Sequence, residues 1–309
     1  MTLLYYDSRF LDHDTGSHPE QPDRLRRIMA RLESTHIASE CTRPKWQPVS
    51  RVRLELVHTP EHIDHIAAVS AHGGGHVDSD TIISPASYEV ARLAAGAACD
   101  AVDRVLAGEA KTAMCLIRPP GHHAVRDQAM GFCLFSNIAI AAAVARDEHK
   151  LDRVLIVDWD VHHGNGTQDI FYSDGRVGFL SIHRWPFYPG TGDADETGTG
   201  AGLGATVNLP IKFGTRRAEF RDRFKSALEK FADKVRPQLI LLSAGFDAHA
   251  ADPIGSLGLE TEDFAMLTDM VIDVAKVHAN GRIVSLLEGG YNPPVLAECV
   301  EKHMRELLH

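Results

Sequence analysis

"RVLIVDWDVHHGNGTQ", residues 153–168, begins as an apolar run and ends in Asp158, Asp160, His162 and His163, four ionisable groups within six positions. The run is short, β-branched and bounded by polar residues, which predicts a strand buried on both faces. The same pattern recurs at "AMCLI" (113–117), "VGFLSI" (177–182), "PQLILLSAG" (237–245) and "RIVSLLEGG" (282–290), with a shorter strand at "TLLYY" (2–6). Amphipathic or Ala-rich stretches at helical spacing lie between them, among them 85–110, "NIAIAAAVARDEH", "RRAEFRDRFKSALEKFADKV" and "EDFAMLTDMVIDVAKVH". Alternation of this kind predicts an α/β fold, a parallel sheet with helices on both faces. No linker, repeat or compositional break divides residues 1–309, so one domain is expected.

Ligands of such sheets bind beyond the carboxyl ends of the strands. Five strand ends are followed by polar, glycine-punctuated sequence: "RPPGHHA", "DWDVHHGNG", "HRWPFYPGTGD", "FDAHAADP" and "EGGYN". Carboxylates leaving a buried strand together repel and are costly to desolvate, and a divalent cation removes that cost. A lone Asp-x-His is more often a helix cap beside a core histidine. Here "LLSAGFDAH" places Asp247 past a second buried strand, so Asp160, His162 and Asp247 make a three-ligand set with open positions, suited to catalytic zinc.

His122 and His123 follow a Pro-Pro-Gly turn and read either as an exposed pair or as a proton-transfer pair. Asp158 could hold one ring and Asn165 could orient the other without adding charge. Tyr291, after two glycines, is a candidate oxyanion donor. No nucleophilic Ser or Cys motif, phosphate loop or dinucleotide fingerprint is present, so metal-activated water attacking an amide is the economical chemistry.

Composition narrows the alternatives. A net charge of −10 argues against a nucleic-acid surface and suits a cationic substrate. The five cysteines form no CxxC pair, no apolar run approaches a membrane span, and the amino-terminal stretch lacks a secretory pattern. A soluble, reduced, cytoplasmic protein is expected. The sequence leaves its oligomeric state open.

"SHPEQPDR", "RPPGHHA…MGFC", "VDWDVHHGNGTQ", "AGFDAHAADP" and "LEGGYN" together closely resemble the zinc-dependent histone deacetylase family, in the arginase–deacetylase fold. "VDSDTI", Trp159 and Asn165 resemble its class II branch, which includes bacterial deacetylase-like amidohydrolases and polyamine deacetylases. The resemblance implies one catalytic zinc on Asp160, His162 and Asp247. His123 would be general base and then acid, His122 with Asp158 its electrostatic partner, and Tyr291 the group polarising the acyl carbonyl. It further implies that Gly131 accepts the substrate N–H and that Phe132 and Tyr188 face each other across a narrow channel. Asp80 would sit at the rim and Arg24 near the inner end of the pocket. A potassium ion would use Asp158, Asp160, His162, Ser181 and Ile182.

Four positions depart from family patterns. Tyr188 stands where phenylalanine is usual. The region "RFLDHDTGSHPE" has His18 but no cysteine, so the second, structural zinc of vertebrate class IIa enzymes is not expected. Tyr291 stands where that group carries histidine, which predicts full activity. Ile254 stands where the eukaryotic polyamine branch has an acidic gatekeeper, which favours acyl-lysine in a protein or peptide over an acetylpolyamine or other small N-acetyl amine.

Overall fold

A computed structural model describes residues Met1–His309. Its strands are β1 (Thr2–Tyr5), β2 (Gly75–His76), β3 (Ile82–Ile83), β4 (Thr112–Cys115), β5 (Val154–Asp158), β6 (Val177–Arg184), β7 (Thr206–Ile211), β8 (Leu239–Ala244) and β9 (Ile283–Leu287). Its helices are α1 (Asp23–Ser34), α2 (Ile37–Glu40), α3 (Arg51–Leu54), α4 (Pro60–Ala71), α5 (Ser87–Ala107), α6 (Asn137–Asp147), α7 (Asn165–Phe171), α8 (Arg217–Val235), α9 (Thr261–His278) and α10 (Pro293–Leu308).

Seven strands form one sheet in the order β1-β4-β9-β8-β5-β6-β7, and every neighbouring pair is parallel. Of the five interior strands, β4, β5, β8 and β9 are buried at every residue and β6 at all but its last, as their apolar runs require. Helices α5 and α6 pack on each other and on the central strands, while α8, α9, α10 and α1 pack in sequence as a second group. The parallel sheet between helical layers is the architecture that the alternating pattern predicts.

The expected strands form, with ends shifted by up to three residues: β4 begins one residue before its run, β6 runs on to Arg184, and β9 stops at Leu287. In "PQLILLSAG", for example, β8 covers only Leu239–Ala244. Residues 85–110 contain α5, which stops at Ala107 with Gly108 left-handed (φ 82°). Strand β7 was not apparent in the sequence: "TVNLPI" carries Asn208 and Pro210 and lacks the apolar continuity of an interior strand. It is the sheet edge, where proline is tolerated. No helix is long and apolar enough to cross a membrane.

Candidate active site

Strand β5 lies between β6 and β8, with Asp158 opposite both Ser181 and Ser243. Because all neighbours are parallel, the segments that leave β4, β5, β6, β8 and β9 emerge on the same side of the sheet. The five polar motifs that follow these strands are therefore delivered to one edge of the sheet.

The histidine pair is buried: His122 is 3% and His123 4% exposed, which rules out the exposed-turn alternative. Their ring centres are 4.0 Å apart. Asp158 Oδ2 lies 3.0 Å from His122 Nδ1, and Asn165 Oδ1 lies 2.7 Å from His123 Nδ1. The Asn165 amide nitrogen donates elsewhere, to the His123 carbonyl and to Met130 Sδ. An amide oxygen only accepts, so His123 carries its proton on Nδ1 and presents Nε2 as a lone pair. Burial alone would lower both imidazoles. For His122 the nearby Asp160 and Asp158 outweigh burial and push it up to about 10, whereas burial, His122 and His162 together hold His123 well below its usual value. The two rings are thus electrostatically unlike, one a cation and one neutral.

Asp160, His162 and Asp247 come together with ligand atoms within 4.8 Å of one another, all three residues buried. His162 Nδ1 is 3.0 Å from Asp160 Oδ1 and 3.2 Å from Asp247 Oδ2. The outer oxygens are already fixed: Gly289 N–H donates to Asp160 Oδ2 and Val161 N–H to Asp247 Oδ1. Asp247 Oδ2 is enclosed and, although near His162, receives no aligned hydrogen bond. A Cβ on Gly289 would sit 2.2 Å from that same oxygen, so glycine leaves the space beside it. Burial and Asp160 raise the Asp247 carboxyl to about 7. An orphaned carboxylate oxygen, a second carboxylate and an imidazole in one buried cluster are short of positive charge. Their mixed O/N donor set fits a divalent cation of the zinc type.

The remaining expected site residues surround this centre. Tyr291 is 8% exposed; its N–H donates to Asp252 Oδ2 and its ring meets that of Phe132 edge-on at 5.7 Å. Gly131 and Phe132 are both left-handed (φ 56° and 69°), a strained conformation for phenylalanine. At Gly131 a Cβ would lie 2.4 Å from His123 Cδ2, so the imidazole packs directly on its backbone. Tyr188 meets His123 and His162 edge-on, at 5.1 and 6.0 Å, and its hydroxyl is enclosed without a partner. Asp80 lies in the turn between β2 and β3, linked through Thr81 Oγ1 to the Phe132 N–H. Ile254 is half-buried, its N–H held by Asp252 Oδ1. Ser181 and Ile182 are buried in β6 beside Asp158.

Arg24 is not a solvent-facing member of "RLRR" but wholly buried. It donates to the carbonyls of Gly290 and Glu288 and to Glu20, with its guanidinium 5.2 Å from the Tyr291 ring centre. Behind His162, Phe187 stacks at 5.1 Å and 14°, and Arg184 lies between Phe187 and Phe213, at 4.2 and 4.6 Å.

Sequence reading missed Glu20, Arg118, Asp252 and Glu288. Glu20 accepts from Arg118 and Arg24 in full burial, Asp252 fixes the Tyr291 backbone, and Glu288 faces the histidine turn. Each stands inside a motif already singled out. A carboxylate directly after a buried strand, the signal used for Asp158, also marks Glu288.

A model of the histone deacetylase domain matches residues 18–307, and the chain belongs to that family of zinc-dependent amidohydrolases. A histone deacetylase-like amidohydrolase of Pseudomonas aeruginosa is 41% identical over 285 residues, 92% of this chain and 75% of that one. The human polyamine deacetylase HDAC10 is 40% identical over 323 residues, 99% of this chain and 48% of that one. The solved structure of the HDA15 HD domain superposes with a TM-score of 0.94 at 37% identity, covering 99% of this chain and 90% of that one. The fold is therefore the arginase–deacetylase fold.

Proposed function

We propose that this protein hydrolyses the amide of an acylated primary amine, acyl-lysine foremost, with acetyl as the acyl group. The observation that carries this reading is a buried histidine, its Nδ1 held by the Asn165 amide oxygen at 2.7 Å, beside a cation-deficient ligand cluster: the His123 ring lies 5.7 Å from that of His162. Asp160, His162 and Asp247 would hold zinc, which when bound would polarise the acyl oxygen and acidify the attacking water.

The chain's own groups then divide the work. His123 Nε2 accepts the water's proton and returns it to the leaving amine, while Asn165 keeps Nδ1 protonated throughout. His122, held by Asp158, supplies positive charge next to that transfer. Burial raises the Tyr291 phenol well above its ordinary value, so it stays a hydrogen-bond donor for the developing oxyanion. The Gly131 carbonyl receives the substrate N–H, Phe132 and Tyr188 enclose the aliphatic chain, and Asp80 holds a substrate backbone at the rim. Arg24 closes the inner end. Ile254 borders the mouth as an apolar residue. Potassium on Asp158, Asp160, His162, Ser181 and Ile182 would brace the β5 end, and the protein would work in the cytoplasm.

A small acetylated polyamine is the second reading. It is favoured by the kinship to a polyamine deacetylase and by Asp78 and Asp80, whose negative charge reaches the Tyr188 phenol. The test is kcat/KM of the zinc-loaded protein on an acetyl-lysine peptide against acetylated putrescine and spermidine. Higher values for the peptide are expected. Higher values for the polyamines reverse the order of the two readings, and no turnover of any of them overturns both.

A further inference from the structure

Residues 118–123 read RPPGHH, and the two prolines leave the turn without backbone donors at 119 and 120. The first two N–H groups after them belong to Gly121 and His122. Both are taken by one side chain: Glu288 Oε2 accepts from Gly121 N at 2.7 Å and from His122 N at 3.2 Å. Its other oxygen accepts from Ser243 Oγ at 3.2 Å. Glu288 is 1% exposed, and neither of its oxygens receives a hydrogen bond from an arginine or lysine. A buried carboxyl group whose oxygens are taken up by two backbone N–H groups and a hydroxyl fixes the chain that donates to it, which calls for a structural role.

The main chain at this point supplies one. The Glu288 carbonyl accepts from Arg24, Gly289 N–H donates to Asp160 Oδ2 at 2.8 Å, the Gly290 carbonyl accepts from Arg24 Nε at 2.7 Å, and Tyr291 follows. Within four residues the chain grips the histidine turn, one carboxylate of the ligand cluster and the phenol. We infer that Glu288 is a positioning residue, whose side chain sets the His122–His123 turn in register with Asp160 and Tyr291. The inference rests on the deacylase reading for its catalytic consequence, though not for the anchoring itself.

Glutamine separates position from charge, because its amide oxygen can take both N–H groups while its NH2 donates to Ser243 Oγ. Alanine removes the anchor. The full-length, zinc-loaded protein and its Glu288→Ala and Glu288→Gln variants are compared by amide hydrogen exchange at Gly121 and His122, and by kcat and KM on an acetyl-lysine peptide. Alanine is expected to speed exchange of both amides at least ~10-fold and to lower kcat about 100-fold with KM within about 3-fold, the signature of a displaced reacting group. Glutamine is expected to restore most of both.

Equal losses in Ala and Gln would overturn the inference in favour of charge, and kcat retained in Ala would overturn it outright. If the alanine variant does not fold, Glu288→Asp, one methylene shorter, replaces it and is expected to lose what Gln keeps. If the wild type cleaves no acyl amine, the deacylase reading falls. Exchange then still decides the anchoring, and unchanged protection of Gly121 and His122 in the variant would overturn it.

Discussion

His122 and His123 are adjacent in sequence and their rings nearly touch, yet their inner nitrogens face a carboxylate in one case and an amide in the other. One imidazole is thereby made cationic and its neighbour kept neutral, a division of labour that a single turn achieves by pointing consecutive side chains at Asp158 and Asn165. His123→Ala is expected to lower kcat by about 10²–10⁴-fold on an acetyl-lysine peptide with little change in KM, the usual contribution of a general acid–base group. Asn165→Leu leaves Nδ1 without its acceptor, and a loss of about 10–100-fold is expected from that variant. Steady-state kinetics of both proteins, with metal content matched, checks the pair.

Metal removal has a sharp structural correlate at Gly289. A methyl group there would press on Asp247 Oδ2 at 2.2 Å and on Asp160 Oδ2 at 2.6 Å. Gly289→Ala is expected to weaken zinc binding by at least ~10-fold, read by competition with a chelating dye and by metal content after dialysis. Chelation of the wild type should abolish turnover, and added zinc should restore it.

Acid should act on the buried ion cluster behind the site. Burial alone would raise the Glu20 carboxyl, but Arg118 and Arg24 outweigh it and hold it down to about 2, against an ordinary value near 4.5. A depressed carboxyl stabilises the fold fully above the unfolded value and loses that contribution as pH falls through the folded one. Stability linked to Glu20, up to about 3 kcal/mol, is therefore expected to disappear between about pH 4.5 and 2. Glu20→Gln should remove that pH dependence and, by leaving two buried guanidiniums underpaired, cost roughly 3–5 kcal/mol near neutrality. Denaturant melts at several pH values measure both effects.

Tyr188 carries an enclosed hydroxyl with no partner. Removing an unsatisfied buried hydroxyl relieves its desolvation, so Tyr188→Phe is expected to raise stability by about 1 kcal/mol. Turnover of a plain acetyl substrate should be kept. A loss of stability in the thermal melt would show that the hydroxyl is satisfied in solution.

The sequence was most informative where burial and ionisation conflict. VLIV followed by Asp158 and Asp160 demanded both a strand and a reason for its polar end, and β5 and the ligand cluster meet those demands. It was least informative where one side chain answers another far along the chain. Nothing local to Arg24 tells that the carbonyls of Glu288 and Gly290 lie within its reach, since that contact spans 264 and 266 positions. Strand β7 was hidden for a different reason: an edge strand is paired on one side only and need not be uniformly apolar. Tyr188 was legible as an unusual residue, but the isolation of its hydroxyl is a property of packing.

The stack that runs from His162 through Phe187 and Arg184 to Phe213 ends at a ring that is 65% exposed. Such a column ties the orientation of a ligand ring to the protein surface. Phe187 covers one face of the His162 imidazole and is itself backed by a guanidinium that also donates to the Gly255 carbonyl. The interior ring is thus stiffened from the solvent side, and wear at the outermost aromatic would be felt as slack at the centre.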